Sequence, residues 1–171
     1  GLGDVYKRQL VGYASGFERQ GAADAEKLEE AVALAKKADT VLLCLGLDEL
    51  RESEGLDRAD MKLAENQQRL LAAVAAVNPN VVVLLSAGAP VETPWAGQCR
   101  ALVYGALGGQ AGAGAAADIL TGRLCPCGKL SQTWAQAHDD TPAKANFGGE
   151  GRNVEYLSLI HISEPTRHAQ I

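Results

Sequence analysis

The residues best equipped for chemistry lie in one thirteen-residue stretch, GLDELRESEGLDR, running from Gly46 to Arg58. Five acids and two arginines crowd into it. Neighbouring carboxyl groups at a cleft can give and take protons, and Glu52 and Glu54 are the candidates for that work. Gly55 permits a tight turn and the close approach of a ligand. Asp57 and Arg58 can pair with other polar groups and set the shape of the loop. The plainer reading of the same composition is a solvated loop with surface ion pairs.

Other chemistry is thinner. Of the four cysteines, Cys44 sits inside an apolar run and is expected to be a buried small hydrophobe. Cys99 follows a polar loop, and Cys125 and Cys127 flank Pro126. A zinc site needs a second pair at a ligand spacing, and none is present, so free thiols in a reducing compartment are expected. His138 has no Cys or His partner at such a spacing and reads as a solvated loop histidine. The run GAGAAA, residues 112–117, matches the G-x-G-x-x-A dinucleotide fingerprint. No strand ending in an acid follows it, because Asp139 and Asp140 come after Trp134 in a polar stretch. Close helix-on-sheet packing through small residues explains that run as well. Residues 122–129 resemble a phosphate loop only superficially, with one residue too many and Leu130 where a magnesium-binding hydroxyl belongs. Trp95 and Trp134 could stack on sugar rings, but core or interface positions suit them better. No metal and no cofactor is expected.

The elements that must carry the acidic loop follow from periodicity. Residues 25–38 place Leu28, Ala31, Val32 and Ala35 on one helical face, with Glu29 and Glu30 ahead of Lys36 and Lys37. Residues 40–45, 81–85 and 101–104 are short continuous apolar runs of the kind that parallel strands show. Residues 65–77 form a second amphipathic helix, with Leu70, Leu71, Val74 and Val77 inward, ended by Asn78, Pro79 and Asn80. Residues 108–120 read as a glycine-rich turn opening a helix, and residues 131–134 as a last short strand. Alternating helices and apolar strands predict an α/β domain with a mainly parallel sheet. Sites in such sheets lie beyond the carboxyl ends of the strands, and the acidic loop follows the first of them.

Composition sets the outer bounds. The chain has 171 residues, 47% of them hydrophobic and only 5% aromatic, with 19 glycines. That suits one domain with a real core. The net charge of −5, with no Lys/Arg run, speaks against binding nucleic acid or an anionic membrane. The most apolar stretch, residues 70–90, is interrupted at Asn78-Pro79-Asn80 and is no membrane span. The first residues lack the basic-then-apolar order of a secretory leader, so a cytoplasmic location is the expectation. The two ends differ from the middle. Residues 1–9 (GLGDVYKRQ) and 157–171 (LSLIHISEPTRHAQI) lose the Ala/Gly/Val texture and resemble translated sequencing-adapter segments. They are set aside, with His161 and His168, leaving residues 10–156 as the domain.

Within that domain the motifs form an ordered set. ESEGLDR, residues 52–58, is followed by Leu63, Gln67 and Gln68, much like D-R-x-x-x-x-L-P-x-x-Q with Ala64 in place of proline. VGYASGF at 11–17 resembles V-x-Y-A-x-G-F/Y, and SAGAPV at 86–91 with Trp95 resembles a G-x-P-V/I turn. GGQ at 108–110 and AADILTG at 116–122 resemble G-Q-x-G followed by A-D-x-L-x-G. CPCGKLSQT at 125–133 resembles P-S-G-K-L-P-x-T, with Cys127 for serine and Ser131 for proline. Together they resemble the second domain of glycoside hydrolase family 3, the β-glucosidase and β-xylosidase family.

That resemblance implies a three-layer α/β/α sandwich, incomplete here at the N-terminal strand that should precede Val11. It implies a retaining mechanism with two carboxyl groups about 5–5.5 Å apart across the sugar. The aspartate nucleophile would come from a TIM-like barrel that precedes this domain and is missing from this chain. The general acid/base would come from the acidic loop, residues 46–58. Glu54, beside Gly55 at the tighter turn, is placed first for that role, with Glu52 the alternative and Asp57 and Arg58 shaping the loop or binding substrate. The implied partners are a β-glucoside or oligosaccharide substrate and the absent barrel. A non-enzymatic α/β module binding nucleotide, or a carbohydrate-binding remnant, is the competing reading. With one of two carboxylates absent, this chain alone is predicted to hydrolyse aryl β-glucosides no faster than buffer; turnover by the isolated chain that Glu54→Gln abolishes would show the opposite.

Overall fold

The computed structural model describes residues 9–20, 22–142 and 144. The adapter-like ends, apart from Gln9, lie outside the described residues, as do His161 and His168. Three parallel strands form the sheet in the order β1 (Val41–Gly46), β2 (Val81–Ser86) and β3 (Ala101–Tyr104). Helix α1 (Ala25–Ala35) precedes β1, α2 (Glu65–Ala75) links β1 to β2, and α3 (Gly112–Leu120) follows β3. This is the α/β class with a parallel sheet that the alternation of elements predicts.

The local signals act as their chemistry requires. Asp24 caps α1, its Oδ1 accepting from the amides of Glu26 and Lys27. At the other end, Asn78 Nδ2 donates to the carbonyls of Ala35 and Ala38, while its Oδ1 accepts from the Asn80 amide. One buried asparagine therefore closes α1, ends α2 and turns the chain into β2. β2 is central and alternates, with Val81, Val83 and Leu85 fully buried. Its inward face meets Leu43 and Leu45 of β1 and Leu70, Leu71 and Val74 of α2, with Leu28, Ala31 and Val32 of α1 packed against that cluster. Each fully buried leucine or valine among them contributes about 1.5–3 kcal/mol.

Three expectations change. Cys44 is exposed, because Leu43 and Leu45 take the inward positions of β1 and the pleat turns Cys44 to the opposite face. On that face the register sets Cys44 beside Leu84 and Val103, and Leu42 beside Val82 and Ala101. Leu42 is 47% exposed and Val82 and Leu84 half-buried, so among the described residues the sheet is well covered on one face only. Residues 131–134 form no strand; among the described residues the sheet stops at β3. Trp134 instead sets its ring edge-on against Tyr104, centroids 4.8 Å apart. The predicted helix of residues 108–120 begins as a 3-10 turn, Gly109–Ala111, before α3. No α3 residue is buried, and a Cβ on Gly112 or Gly114 would meet nothing within 4 Å. Among the described residues, close packing through those two glycines is therefore not seen. Trp95 is a core residue, its Nε1 donating to the Glu92 carbonyl.

Among the described residues no helix is long and apolar enough to cross a membrane. Leu71 has no exposed surface and stands where α2 meets the sheet. Leu71→Ala is expected to lower unfolding stability by about 2–5 kcal/mol, read from the urea midpoint at unchanged slope.

Candidate active site

The acidic loop leaves the carboxyl end of β1, and its root is pinned by a side-chain amide. Gln67, buried at the start of α2, accepts from the Gly46 amide at 2.9 Å and donates to the Gly46 carbonyl at 2.8 Å. Gly46 has to be glycine. A Cβ there would stand 2.2 Å from the Ser86 carbonyl oxygen of β2. Asn66 donates to the Glu18 carbonyl, tying the N-terminal segment to the same helix start.

The loop then folds on itself. Asp48 Oδ1 accepts from the amides of Leu50 and Arg51, and its carbonyl accepts from those of Arg51 and Glu52. This turn swings Glu52 across the sheet edge. Both of its carboxylate oxygens lie 2.9 Å from the Gly88 amide in the turn after β2. Arg58 makes a second staple to that turn, its Nη1 donating to the Pro90 carbonyl at 3.1 Å. Its Nη2 is buried with no partner among the described residues. Between these two staples the chain bulges outward. Gly55 takes φ 78°, a left-handed turn in open space, and Ser53, Glu54, Leu56 and Asp57 are exposed.

The candidates from sequence therefore divide. Glu52 and Arg58 are half-buried and hold the loop to the neighbouring turn. Glu54 and Asp57 stand at its exposed tip and make no hydrogen bond or ion pair among the described residues. A cavity of about 460 Å³ opens beside the loop, with Asp48, Arg51, Asp57, Arg58 and Asp60 in its wall. Arg51 faces Asp60 there, 3.8 Å away.

His138 begins a 3-10 turn, His138–Asp140, and its amide donates to Oε1 of the buried Glu92. Asp139 pairs with Lys144, whose hydrogen bond and charge hold its carboxyl below the usual carboxylate range. Cys125 and Cys127 are exposed free thiols, and no cluster of metal-ligating side chains exists among the described residues. Partial burial raises the thiol pKa of both Cys44 and Cys99.

Two residues of the site carry little sequence signal. Gly88 is visible as the glycine of a G-x-P turn, but its role as the amide facing Glu52 is not. Leu107 shows no pattern at all, yet its Cδ1 would be 2.9 Å from a Cβ on Gly88.

A parallel α/β domain with an acidic loop folded over its carboxyl edge is the class that this geometry defines. The chain belongs to glycosyl hydrolase family 3: residues 2–161 match the sequence model of that family's C-terminal domain. It is 41% identical over 151 residues to a thermostable beta-glucosidase B of Acetivibrio thermocellus, covering 88% of this chain and 20% of that protein. It is 43% identical over 141 residues to an exo-alpha-(1->6)-L-arabinopyranosidase of Bifidobacterium breve, covering 82% of this chain and 19% of that protein. The crystal structure of a Bifidobacterium adolescentis GH3 beta-glucosidase superposes with a TM-score of 0.78 at 45% identity, over 84% of this chain and 22% of that one. The chain thus spans about a fifth of the length of the relatives it matches.

The close approach at the loop root yields a test. Gly46→Ala forces backbone apart at β2 and is expected to cost about 1–3 kcal/mol. Gly55→Ala, in open space at a positive φ, is expected to cost about 1–2 kcal/mol and to leave the core intact. Urea unfolding of both variants, with near-ultraviolet circular dichroism of Trp95, checks the pair.

Proposed function

We propose that this chain is the part of a retaining β-glycosidase that supplies the general acid/base, and that Glu54 carries the proton. The observation that supports this reading is the division of labour in the loop. The Glu52 carboxylate is occupied by the Gly88 amide, while the Glu54 carboxyl, at the tip beside Gly55, is exposed and has no partner among the described residues. A proton donor must be able to reach the leaving oxygen from outside the sheet, and an anchored carboxylate is poorly placed to swing there. The nucleophile is assigned to a barrel domain outside this chain, on the opposite side of the sugar. Arg58, stapled to Pro90, keeps the tip at a set height above the sheet edge. β-Linked glucosides are the proposed substrates, in keeping with the beta-glucosidases among the relatives.

The roles of the two glutamates separate in the enzyme that joins this domain to its barrel. Protonation of the leaving oxygen matters most when the leaving group is poor. Glu54→Ala is expected to slow cellobiose hydrolysis by about 10²–10⁴-fold and to affect formation of the glycosyl-enzyme from a dinitrophenyl glucoside far less. That intermediate then accumulates, since water has lost its base, and added azide restores turnover. Glu52→Ala is expected to lower both rates alike without azide rescue, as loss of a loop anchor should. Azide rescue of Glu52→Ala alone reverses the assignment, and rescue of neither makes the loop purely structural.

A further inference from the structure

We propose that Leu107 forms an apolar wall on the leaving-group side of the acid loop and selects glycosides whose aglycone is apolar. The inference rests on the glycosidase reading above and goes further, to the substrate class. Leu107 stands in the turn after β3, and three loops meet there. The point where a Cβ on Gly88 would lie is 2.9 Å from Leu107 Cδ1 and 3.2 Å from Glu52 Oε1. The isobutyl group and the anchored carboxylate therefore flank the same glycine. Leu107 is nevertheless 74% exposed, so most of the side chain faces outward beside the acid loop.

The backbone holds it there at a cost. Ala106, just before it, has φ 48° and is the one non-glycine residue with a positive φ among the described residues. Such a conformation persists where the surroundings over-determine it, and it clusters at active sites, ligand clamps and switch regions. Leu56, also well exposed, lies on the tip of the acid loop itself. In a retaining glycosidase the two carboxyl groups flank the scissile bond. With the nucleophile on the other domain, the glycone lies towards that domain and the aglycone lies nearest the acid loop. An apolar side chain against the acid loop then meets the leaving group, and removing its contact weakens binding in proportion to the apolar surface of that group.

The test uses the full-length enzyme that carries this domain and a series of β-glucosides sharing one glycone, with methyl, hexyl, octyl and phenyl leaving groups. For Leu107→Ala the KM is expected to rise about tenfold for octyl and phenyl glucosides, and least for methyl glucoside. The kcat and the inhibition constant of free glucose should change little across the series. Leu107→Phe should recover the KM for phenyl glucoside. A KM that shifts equally for every member, or for none, overturns the proposal. So does a lowered melting temperature in both variants, which would make Leu107 a packing residue between domains. Failure of the unsubstituted enzyme to hydrolyse any member would instead overturn the glycosidase reading on which the proposal stands.

Discussion

The Gly88 amide is the point on which the carboxyl edge of the sheet depends. It faces both oxygens of Glu52 and so joins the loop after β1 to the turn after β2. Its missing side chain also leaves room for its neighbours: a Cβ there would stand 2.9 Å from Leu107 Cδ1 and 3.2 Å from Glu52 Oε1, and these side-chain ends would have to shift. A hydrogen bond to a charged acceptor is worth about 1.5–3 kcal/mol, which is enough to choose one arrangement for a loop that has little core of its own. The glycine matters for the close approach of three segments rather than for freedom of its φ angle.

That junction forms only because the strands run parallel and end at one level. Gly46 pairs with Ser86 at the ends of β1 and β2, and the Gly105 amide donates to the Leu85 carbonyl just past β3. Three loops must then emerge side by side. The edge is made firm from below by polar side chains that replace backbone partners. Gln67 satisfies both the amide and the carbonyl of Gly46, and Tyr104 donates its hydroxyl to the Ala87 carbonyl. Leaving such groups unpaired near the core costs about 1–3 kcal/mol each. The floor of the site is accordingly rigid, while its tip, residues 53–57, projects into solvent.

The other face of the sheet follows a different logic. Leu42, Cys44, Val82, Leu84, Ala101 and Val103 line it, and α3, rich in glycine and alanine, buries none of its residues. Apolar surface left in this state is a liability for a stable monomer. The chain spans only about a fifth of its relatives, and its fold matches part of a much longer structure. Among the described residues the packing is firm on one face of the sheet and open on the other.

Much of this was legible in the residues themselves. Apolar runs of the right length marked all three strands, and the helical spacing of Leu28, Ala31, Val32 and Ala35 and of Leu70, Leu71, Val74 and Val77, with the Asn78-Pro79-Asn80 stop, marked the first two helices, because periodicity and helix termination are local. The acidic loop was placed correctly beyond β1 for the same reason: a parallel sheet puts functional loops at one edge. The ordered motifs named the family. Cys44 was misplaced because an unbroken apolar run does not say which of its residues face the helices; that depends on the register of the pleat. The strand expected at residues 131–134 was absent because a strand exists only where a neighbour can pair with it. Above all, the separate positions of Glu52 and Glu54, two residues apart in one acidic run, could not be read from composition. Only the tertiary structure decided them, since it alone brings the Gly88 amide, 34 to 36 residues further along, to one carboxylate and leaves the other in water.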